Sequence, residues 1–167
     1  MQSTLYKKLK RKVLWKLEHI ENDRYRKKFN IGENTLLRSR VRCPNPQQVT
    51  IGNNSFVNYE VFFYVADPKN EKAKITIGNN VFIAPRVLIT TATHNIESSF
   101  QRASSKTVHK PVKIDDGCWI GANVTILPGV HIGKGCVIGA GAVVNKDCEP
   151  NGVYVGVPAR RIKDLKE

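Results

Sequence analysis

The chain has 167 residues, of which 41% are hydrophobic and 25% charged, and its formal net charge is +13. This length and composition fit one globular domain with a terminal appendage and exclude a chain that is disordered throughout. No apolar run approaches the roughly 18 residues of a membrane-spanning helix, and the basic N-terminus lacks the apolar core of a secretory signal.

The N-terminal segment, residues 1–30, is strongly basic. Residues 1–42 contain 13 Lys and Arg but only 4 Asp and Glu. Apolar residues at spacings of three and four within residues 3–29 predict a basic amphipathic helix. This helix could cover an open end or a side of the following domain, or it could lie on an anionic membrane surface. We expect no nucleic-acid partner, because no nucleic-acid-binding motif accompanies the charge.

Residues 31–167 are predicted to form one domain built on a six-residue repeat. Its recurring apolar residues are Ile51, Val57 and Phe63; Ile77, Ile83 and Ile89; and Ile114, Ile120, Ile126, Ile132, Ile138 and Val144. A period of six fits short strands joined by tight turns, and we interpret the glycines that often follow these residues, such as Gly52 and Gly78, as relief of positive φ. The pattern predicts a parallel β-helix in which three hexads form one triangular coil. Residues 18 apart then stack in the interior.

The repeat is irregular at both ends and loses register twice within the domain. Residues 31–50 are expected to form an irregular first coil, and the segment from Pro150 onward is expected to close the last one. Two further stretches, between Phe63 and Ile77 and between Ile89 and Ile114, do not contain a whole number of hexads. Such excursions leave a solenoid as loops, and these loops often build sites. His94 begins the second loop, at about residues 94–111.

The four cysteines, Cys43, Cys118, Cys136 and Cys148, contain no CxxC pair. The absence of such a pair argues against a zinc ribbon or a thioredoxin-type site and favours reduced thiols in a cytoplasmic protein. The basic helix could bring this protein to the inner face of the membrane. Cys118 and Cys136 lie 18 residues apart. We therefore expect them to stack as packing residues.

Three stretches together resemble one known family. They are "TATHN" (91–95), "KPVKIDDGCWIGANVTILPGVHIGKGCVIGAGAVVNKD" (110–147) and "GVPARRIK" (156–163). They resemble the hexapeptide-repeat O-acetyltransferases, and the maltose, galactoside and bacterial polysaccharide enzymes in particular. The resemblance, over about residues 49–165, implies a left-handed β-helix, a homotrimer with active sites between neighbouring prisms, and acetyl-CoA as donor. It also implies a sugar hydroxyl as acceptor, in bacterial polysaccharide or glycoconjugate synthesis.

His94 matches the catalytic histidine of this family. A sugar hydroxyl is a poor nucleophile, and a neutral imidazole can take its proton as the oxygen attacks the thioester. By resemblance, a backbone N–H near Ala122 would hold the tetrahedral oxyanion. Asn58, in "SFVNYE", matches an asparagine that contacts the acceptor in galactoside-type members, but it could equally be a turn residue at a corner of the coil.

The resemblance also suggests a binding site for acetyl-CoA. Small or flat side chains would line the pantetheine arm, and polar or basic side chains would contact the phosphates of the nucleotide. The alternative explanation for the polar and basic residues is that they form ion pairs on the protein surface. The matching residues are Trp119, Ala122 and Ala140 for the arm, and Asn145, Lys146, Arg160 and Lys163 for the nucleotide end.

The loop after His94 departs from the family pattern. Related enzymes often carry a carboxylate there that can orient the imidazole, but residues 98–113 contain no Asp or Glu. They contain Arg102, Lys106 and Lys110 instead. The group that orients His94 therefore stays open, and the positive charge suggests an anionic acceptor, such as an acidic polysaccharide unit or a nucleotide-linked sugar.

Three alternatives remain from the sequence. The chain could acetylate an amino sugar or nucleotide sugar at nitrogen, since the same base and groove would serve. It could be a trimeric scaffold without activity. A zinc enzyme of the gamma-carbonic anhydrase type needs three converging histidines, and His19, His94, His109 and His131 form no clear triad, so we expect no metal.

Overall fold

The computed structural model describes residues 26–166, which form eighteen short β-strands and a 3₁₀ turn at Pro46–Gln48. In chain order the strands are β1 (Asn30–Ile31), β2 (Leu36–Leu37), β3 (Val49–Ile51), β4 (Phe56–Val57), β5 (Phe62–Tyr64), β6 (Ile75–Ile77), β7 (Phe82–Ile83), β8 (Leu88–Thr90), β9 (Ala92–Ile96), β10 (Ala103–His109), β11 (Val112–Ile114), β12 (Trp119–Ile120), β13 (Thr125–Ile126), β14 (His131–Ile132), β15 (Val137–Ile138), β16 (Val143–Val144), β17 (Gly152–Val155) and β18 (Arg160–Asp164). The described chain is all-β, as predicted.

Consecutive strands fall into three different sheets, which are the faces of a triangular prism. Face A has the order β1-β3-β6-β11-β14, face B the order β18-β17-β15-β12-β7-β4-β2, and face C the order β16-β13-β8-β5. All neighbours pair in parallel except β17 and β18, which are antiparallel. Strands β9 and β10 form a separate antiparallel hairpin. The predicted parallel β-helix is therefore confirmed.

The register confirms the predicted stacking. Ile114 pairs with Ile132 and Ile120 with Ile138, each 18 residues further along the chain. The recurring apolar residues of all three blocks have at most 2% of their surface exposed and fill the prism interior. Earlier coils are longer, since Ile77 pairs with Ile114, and the extra residues leave the prism as the two predicted loops.

Clearance, rather than positive φ, explains most of the glycines of the repeat, so that part of the sequence interpretation is wrong. A β-carbon on Gly52 would lie 2.6 Å from Asn79 Oδ1, and one on Gly121 would lie 2.6 Å from the backbone nitrogen of Ala140. Neither glycine has a positive φ. The Asn79 oxygen accepts a hydrogen bond from the Asn53 N–H at 2.8 Å, so it tethers one coil to the next at the position where glycine leaves room.

Residues with positive φ occupy the turns between the faces. At the corner between faces A and B they are Asn34, Asn54, Asn80, Gly117, Gly135 and Asn151. At the corner between faces B and C they are Arg40, Glu60, Arg86, Asn123 and Gly141. Asn and Gly adopt this left-handed conformation at low cost, whereas other side chains rarely do. The second corner therefore differs from the first in carrying three charged residues at unfavourable backbone positions.

The ends of the domain behave largely as predicted. The first coil is irregular, with the 3₁₀ turn after Asn45. In the closing segment, β17 still extends face B before β18 turns back along it. The helix predicted over residues 3–29 lies outside the described residues except at its end, where Arg26 is helical and residues 27–29 form a turn and a bend. In the described part of the chain, no helix is long and apolar enough to cross a membrane.

All four cysteines are buried, and none of them forms a disulfide. Cys118 and Cys136 precede the paired residues Trp119 and Val137, so they stack as expected. The Cys118 thiol donates a hydrogen bond to the Gly133 carbonyl at 3.2 Å. Burial raises the pKa of Cys118 to about 12, which keeps the group in its thiol form. The predicted packing role is confirmed.

Candidate active site

The second loop of the solenoid is a β-hairpin that carries His94. The chain leaves face C after β8, and the Lys110 N–H closes the hairpin base by donating to the Thr91 carbonyl at 2.9 Å. Ala103 pairs with Ile96 and Thr107 with His94. Residues 104–106 therefore lie opposite the single residue 95, and β10 bulges beside the histidine.

The bulge supplies the group that orients His94. The Nδ1 atom of this exposed imidazole lies 2.8 Å from the Ser104 carbonyl oxygen. Because a carbonyl only accepts hydrogen bonds, Nδ1 is the protonated nitrogen of the neutral ring, and in that form Nε2 keeps its lone pair. Ser104 itself is 5% exposed; its hydroxyl donates to the Lys106 carbonyl at 2.8 Å and accepts from the Asn95 N–H at 3.2 Å. The side chain of Ser104 thus holds the bulge that presents its carbonyl.

Asn58 lies at the corner between faces B and C, directly after β4. Its Oδ1 atom accepts a hydrogen bond from the Tyr59 N–H at 2.8 Å, so the side chain does act as a turn residue. Its amide nitrogen makes no hydrogen bond to another described residue, and the residue is half-buried. The turn role and a binding role are therefore compatible.

Five of the seven residues predicted to bind acetyl-CoA lie on face B or at its corner with face C. Trp119 is 54% exposed and lies between Phe82 and Val137 in the outward row of face B. Val137 pairs with Val153, which in turn pairs with Lys163, so Lys163 continues the same row. The other residues of this group are Ala122, Ala140 and Arg160.

Asn145 and Lys146 lie elsewhere on the protomer. Ala140 precedes β16 and Asn145 follows it. Asn145 and Lys146 therefore lie at the opposite end of this strand of face C from Ala140. The hairpin with His94 also leaves face C after the last residue of β8, which is the end of that strand away from the corner of Asn58. One protomer therefore does not bring His94, Asn58 and all of the predicted acetyl-CoA residues together.

Comparison with known proteins places this arrangement in a family. The bacterial transferase hexapeptide family (six repeats) matches residues 111–146. A hexapeptide-repeat-containing acetyltransferase from Vibrio cholerae, solved with acetyl-coenzyme A, is 34% identical, with a TM-score of 0.77 over 88% of this chain and 79% of that one. A maltose O-acetyltransferase from Clostridium difficile 630 is 42% identical, with a TM-score of 0.67 over 83% and 67% of the two chains. The chain belongs to the hexapeptide-repeat transferase family.

This membership implies that the prism winds in the left-handed sense. The galactoside O-acetyltransferase of Escherichia coli K12 is 34% identical over 137 residues, which are 82% of this chain and 64% of that enzyme. The chain spans between 54% and 65% of the length of three curated relatives that it matches. The similarity therefore leaves part of each of those proteins unmatched.

Two features of the site left little or no trace in the sequence. The Ser104 carbonyl is a backbone group, and the search for a carboxylate near His94 could not have found it. Arg161, which was not singled out, fastens β18 by donating to the Glu149 carbonyl at 3.0 Å, the Tyr154 hydroxyl at 3.1 Å and Asp164 at 2.6 Å. Both Arg161 and its neighbour Arg160 are exposed.

The described histidines do not converge on a metal site. Nε2 of His131 lies 2.8 Å from an Asp115 oxygen on face A, while His94 and His109 are on the hairpin. Across residues 26–166, no group of three or more His, Cys, Asp or Glu side chains could hold a metal ion. The zinc-enzyme alternative gains no support from the fold.

Proposed function

We propose that this protein is an acetyl-CoA-dependent O-acetyltransferase that acts on a sugar hydroxyl, with His94 as general base. The observation that carries the proposal is the hydrogen bond from His94 Nδ1 to the Ser104 carbonyl, which leaves Nε2 free on an exposed ring. Relatives named as acetyltransferases of maltose and galactoside favour oxygen over nitrogen as the acceptor atom. Bacterial polysaccharide or glycoconjugate synthesis is the expected setting.

In the proposed reaction, Nε2 of His94 takes the hydroxyl proton as the acceptor oxygen attacks the thioester carbon. The Ser104 carbonyl stabilises the imidazolium that forms. The backbone N–H of Ala122 makes no hydrogen bond to another described residue, so it is available for the oxyanion. The carbon–sulfur bond then breaks, and the coenzyme A thiolate leaves with the proton from His94.

A homotrimer would complete this site. The outward row of face A is polar, with Asn30, Thr50, Thr76, Lys113 and His131. The outward row of face B is apolar, with Leu36, Phe56, Phe82, Trp119 and Val137. Exposed apolar rows of this kind mark interaction surfaces. A ring of three protomers would cover them and bring the hairpin of one copy to the corner between faces B and C of the next.

The acceptor is proposed to be anionic. The hairpin is basic, and its Arg102, Lys106 and Lys110 side chains are exposed without an ion pair to a described carboxylate. Asn58 of a neighbouring copy would contact the sugar through its free amide nitrogen. Trp119, Ala122 and Ala140 would line the pantetheine arm, while Asn145, Lys146, Arg160 and Lys163 would lie near the nucleotide end.

The test is acetyl transfer from acetyl-CoA to a panel of neutral, acidic, amino and nucleotide-linked sugars, followed by mass detection. His94→Ala is expected to lower turnover by about 10²-fold or more, because general-base catalysis is lost. His131→Gln is the matched control, since His131 is bonded to Asp115 away from the hairpin, and it should retain full activity. Equal activity of His94→Ala and wild type would disprove the role of His94, and failure to bind acetyl-CoA would favour the scaffold.

A further inference from the structure

An open groove with a volume of about 710 Å³ runs along the corner between faces B and C in the first three coils. We call it the arginine groove. Its lining residues are Arg40, Arg42, Glu60, Phe62, Arg86, Val87 and Leu88. Three arginines and one glutamate give this lining a net charge of +2, over a floor of apolar side chains.

The backbone singles out this groove. Arg40, Glu60 and Arg86 have φ values of 62°, 62° and 59°. Within the described residues, every other position with positive φ is Asn or Gly. The same corner continues into the next coils with Asn123 and Gly141, the residue types that accept this conformation readily. The three charged residues at strained positions therefore all line one groove, and strain that persists at a cluster points to a role for the side chains.

Two of the arginines are available for a ligand. Arg40 is paired with Glu60 at 3.3 Å, but neither Arg42 nor Arg86 forms an ion pair with a carboxylate in residues 26–166. The Arg42 guanidinium lies 4.8 Å from the centre of the Phe62 ring, within the range of a cation–π contact. Arg86 Nε donates to Asn123 Oδ1 at 2.8 Å, so the two terminal nitrogens stay free.

The positive charge extends towards Asn58. Arg38 lies below Asn58 in the stack, because Leu37 pairs with Val57. The Nε atom of Arg38 is buried and has no hydrogen-bond partner, and its guanidinium lies 5.7 Å from the centre of the Tyr59 ring. A donor left without a partner beside the proposed acceptor residue is a second sign that an oxygen ligand belongs here.

We propose that the arginine groove binds the carboxylate or phosphate of the acceptor, with Arg42 and Arg86 as its direct partners. Planar guanidinium groups bind such oxyanions through paired hydrogen bonds, and the apolar floor would contact the sugar ring. This inference rests on the proposed function, because Asn58 marks the acceptor side of the site. The groove serves the acceptor rather than the donor, since it lies in the coils of Asn58 and not in those of Ala122 and Ala140.

The experiment compares two probes that differ only in charge, methyl glucuronide and methyl glucoside, together with inorganic phosphate. Binding to the intact protein is measured by calorimetry or ligand-observed NMR. The variants are Arg42→Gln, Arg86→Asn and the double variant, and Arg86→Asn copies the residue that the next coil has at this corner. Lys134→Gln, on the corner between faces A and B, removes one positive charge elsewhere, as each single variant does in the groove.

Wild type and Lys134→Gln are expected to bind phosphate and to prefer the glucuronide by about tenfold or more. The double variant should lose both properties, and its affinity for acetyl-CoA and its mass in solution should stay unchanged. The proposal is overturned if wild type shows neither property, or if the double variant keeps them. Weaker acetyl-CoA binding in the double variant would assign the groove to the donor, and a changed mass would assign it to a subunit contact, so either result also overturns it. Failure of the proposed function looks different: no acetyl-CoA binding, with the charge preference intact.

Discussion

Replacement of Ser104 by alanine tests whether the bulge of the hairpin aligns His94. The change keeps the backbone carbonyl that accepts from His94 Nδ1, but it removes the hydroxyl bonds to the Lys106 carbonyl and the Asn95 N–H. Each bond contributes on the order of 0.5–1 kcal/mol, so the ordered bulge should lose about 1–2 kcal/mol relative to a loosened one. Since 1.4 kcal/mol corresponds to a factor of ten, the loss of kcat should be about 5-fold to 30-fold.

The assay is steady-state acetyl transfer, with thermal unfolding to show that the solenoid is intact. The KM for acetyl-CoA should change little, because both hydroxyl bonds of Ser104 stay within the hairpin. Ser105→Ala is the matched control: Ser105 is exposed, lies in the same bulge and should behave as wild type. Activity of Ser104→Ala within twofold of wild type, or an equal loss in Ser105→Ala, would refute the idea that the bulge aligns the histidine.

Two further predictions concern the solenoid. Gly52→Ala should lower the free energy of unfolding by about 2–3 kcal/mol in a urea titration, because its β-carbon would meet Asn79 Oδ1 at 2.6 Å. Gly141→Ala has nothing within 4 Å, so only the cost of its positive φ, about 1 kcal/mol, should appear. Equal losses in the two variants would contradict the clearance argument. Cys118, whose pKa is raised to about 12, should resist iodoacetamide at pH 8 in the native protein and react once urea unfolds it, as followed by mass spectrometry; native labelling at the unfolded rate would contradict its burial.

The sequence was sufficient to predict the fold because the repeat constrains it heavily. Ile114, Ile120 and Ile126 each need a partner 18 residues away, and a triangular coil is the arrangement that provides all three at once. The role of Gly52 was misjudged, because a sequence shows that a side chain is excluded but does not show whether φ or a neighbouring coil excludes it.

The site was less predictable, for two different reasons. The hydrogen bond to His94 comes from a backbone carbonyl in a bulge, and neither the acceptor nor the shift of register has a sequence signature. The separation of Ala140 from Asn145 was predictable in principle. One strand of the repeat lies between them, so counting hexads already places the two residues at different corners of the prism.

The solenoid also separates the residues that build the coil from those that can serve function. Inward residues and the Asn or Gly of the corners are fixed by packing and by φ, so they leave little freedom for chemistry. Functional residues are then expected where the chain departs from the repeat, and the described chain has two such places with unusual backbone geometry. One is the hairpin, whose bulge orients His94. The other is the corner where Arg40, Glu60 and Arg86 keep left-handed backbones at a cost on the order of 1 kcal/mol each. That cost would be selected against unless the side chains do something that Asn or Gly could not, and binding an anion beside Asn58 is such a task.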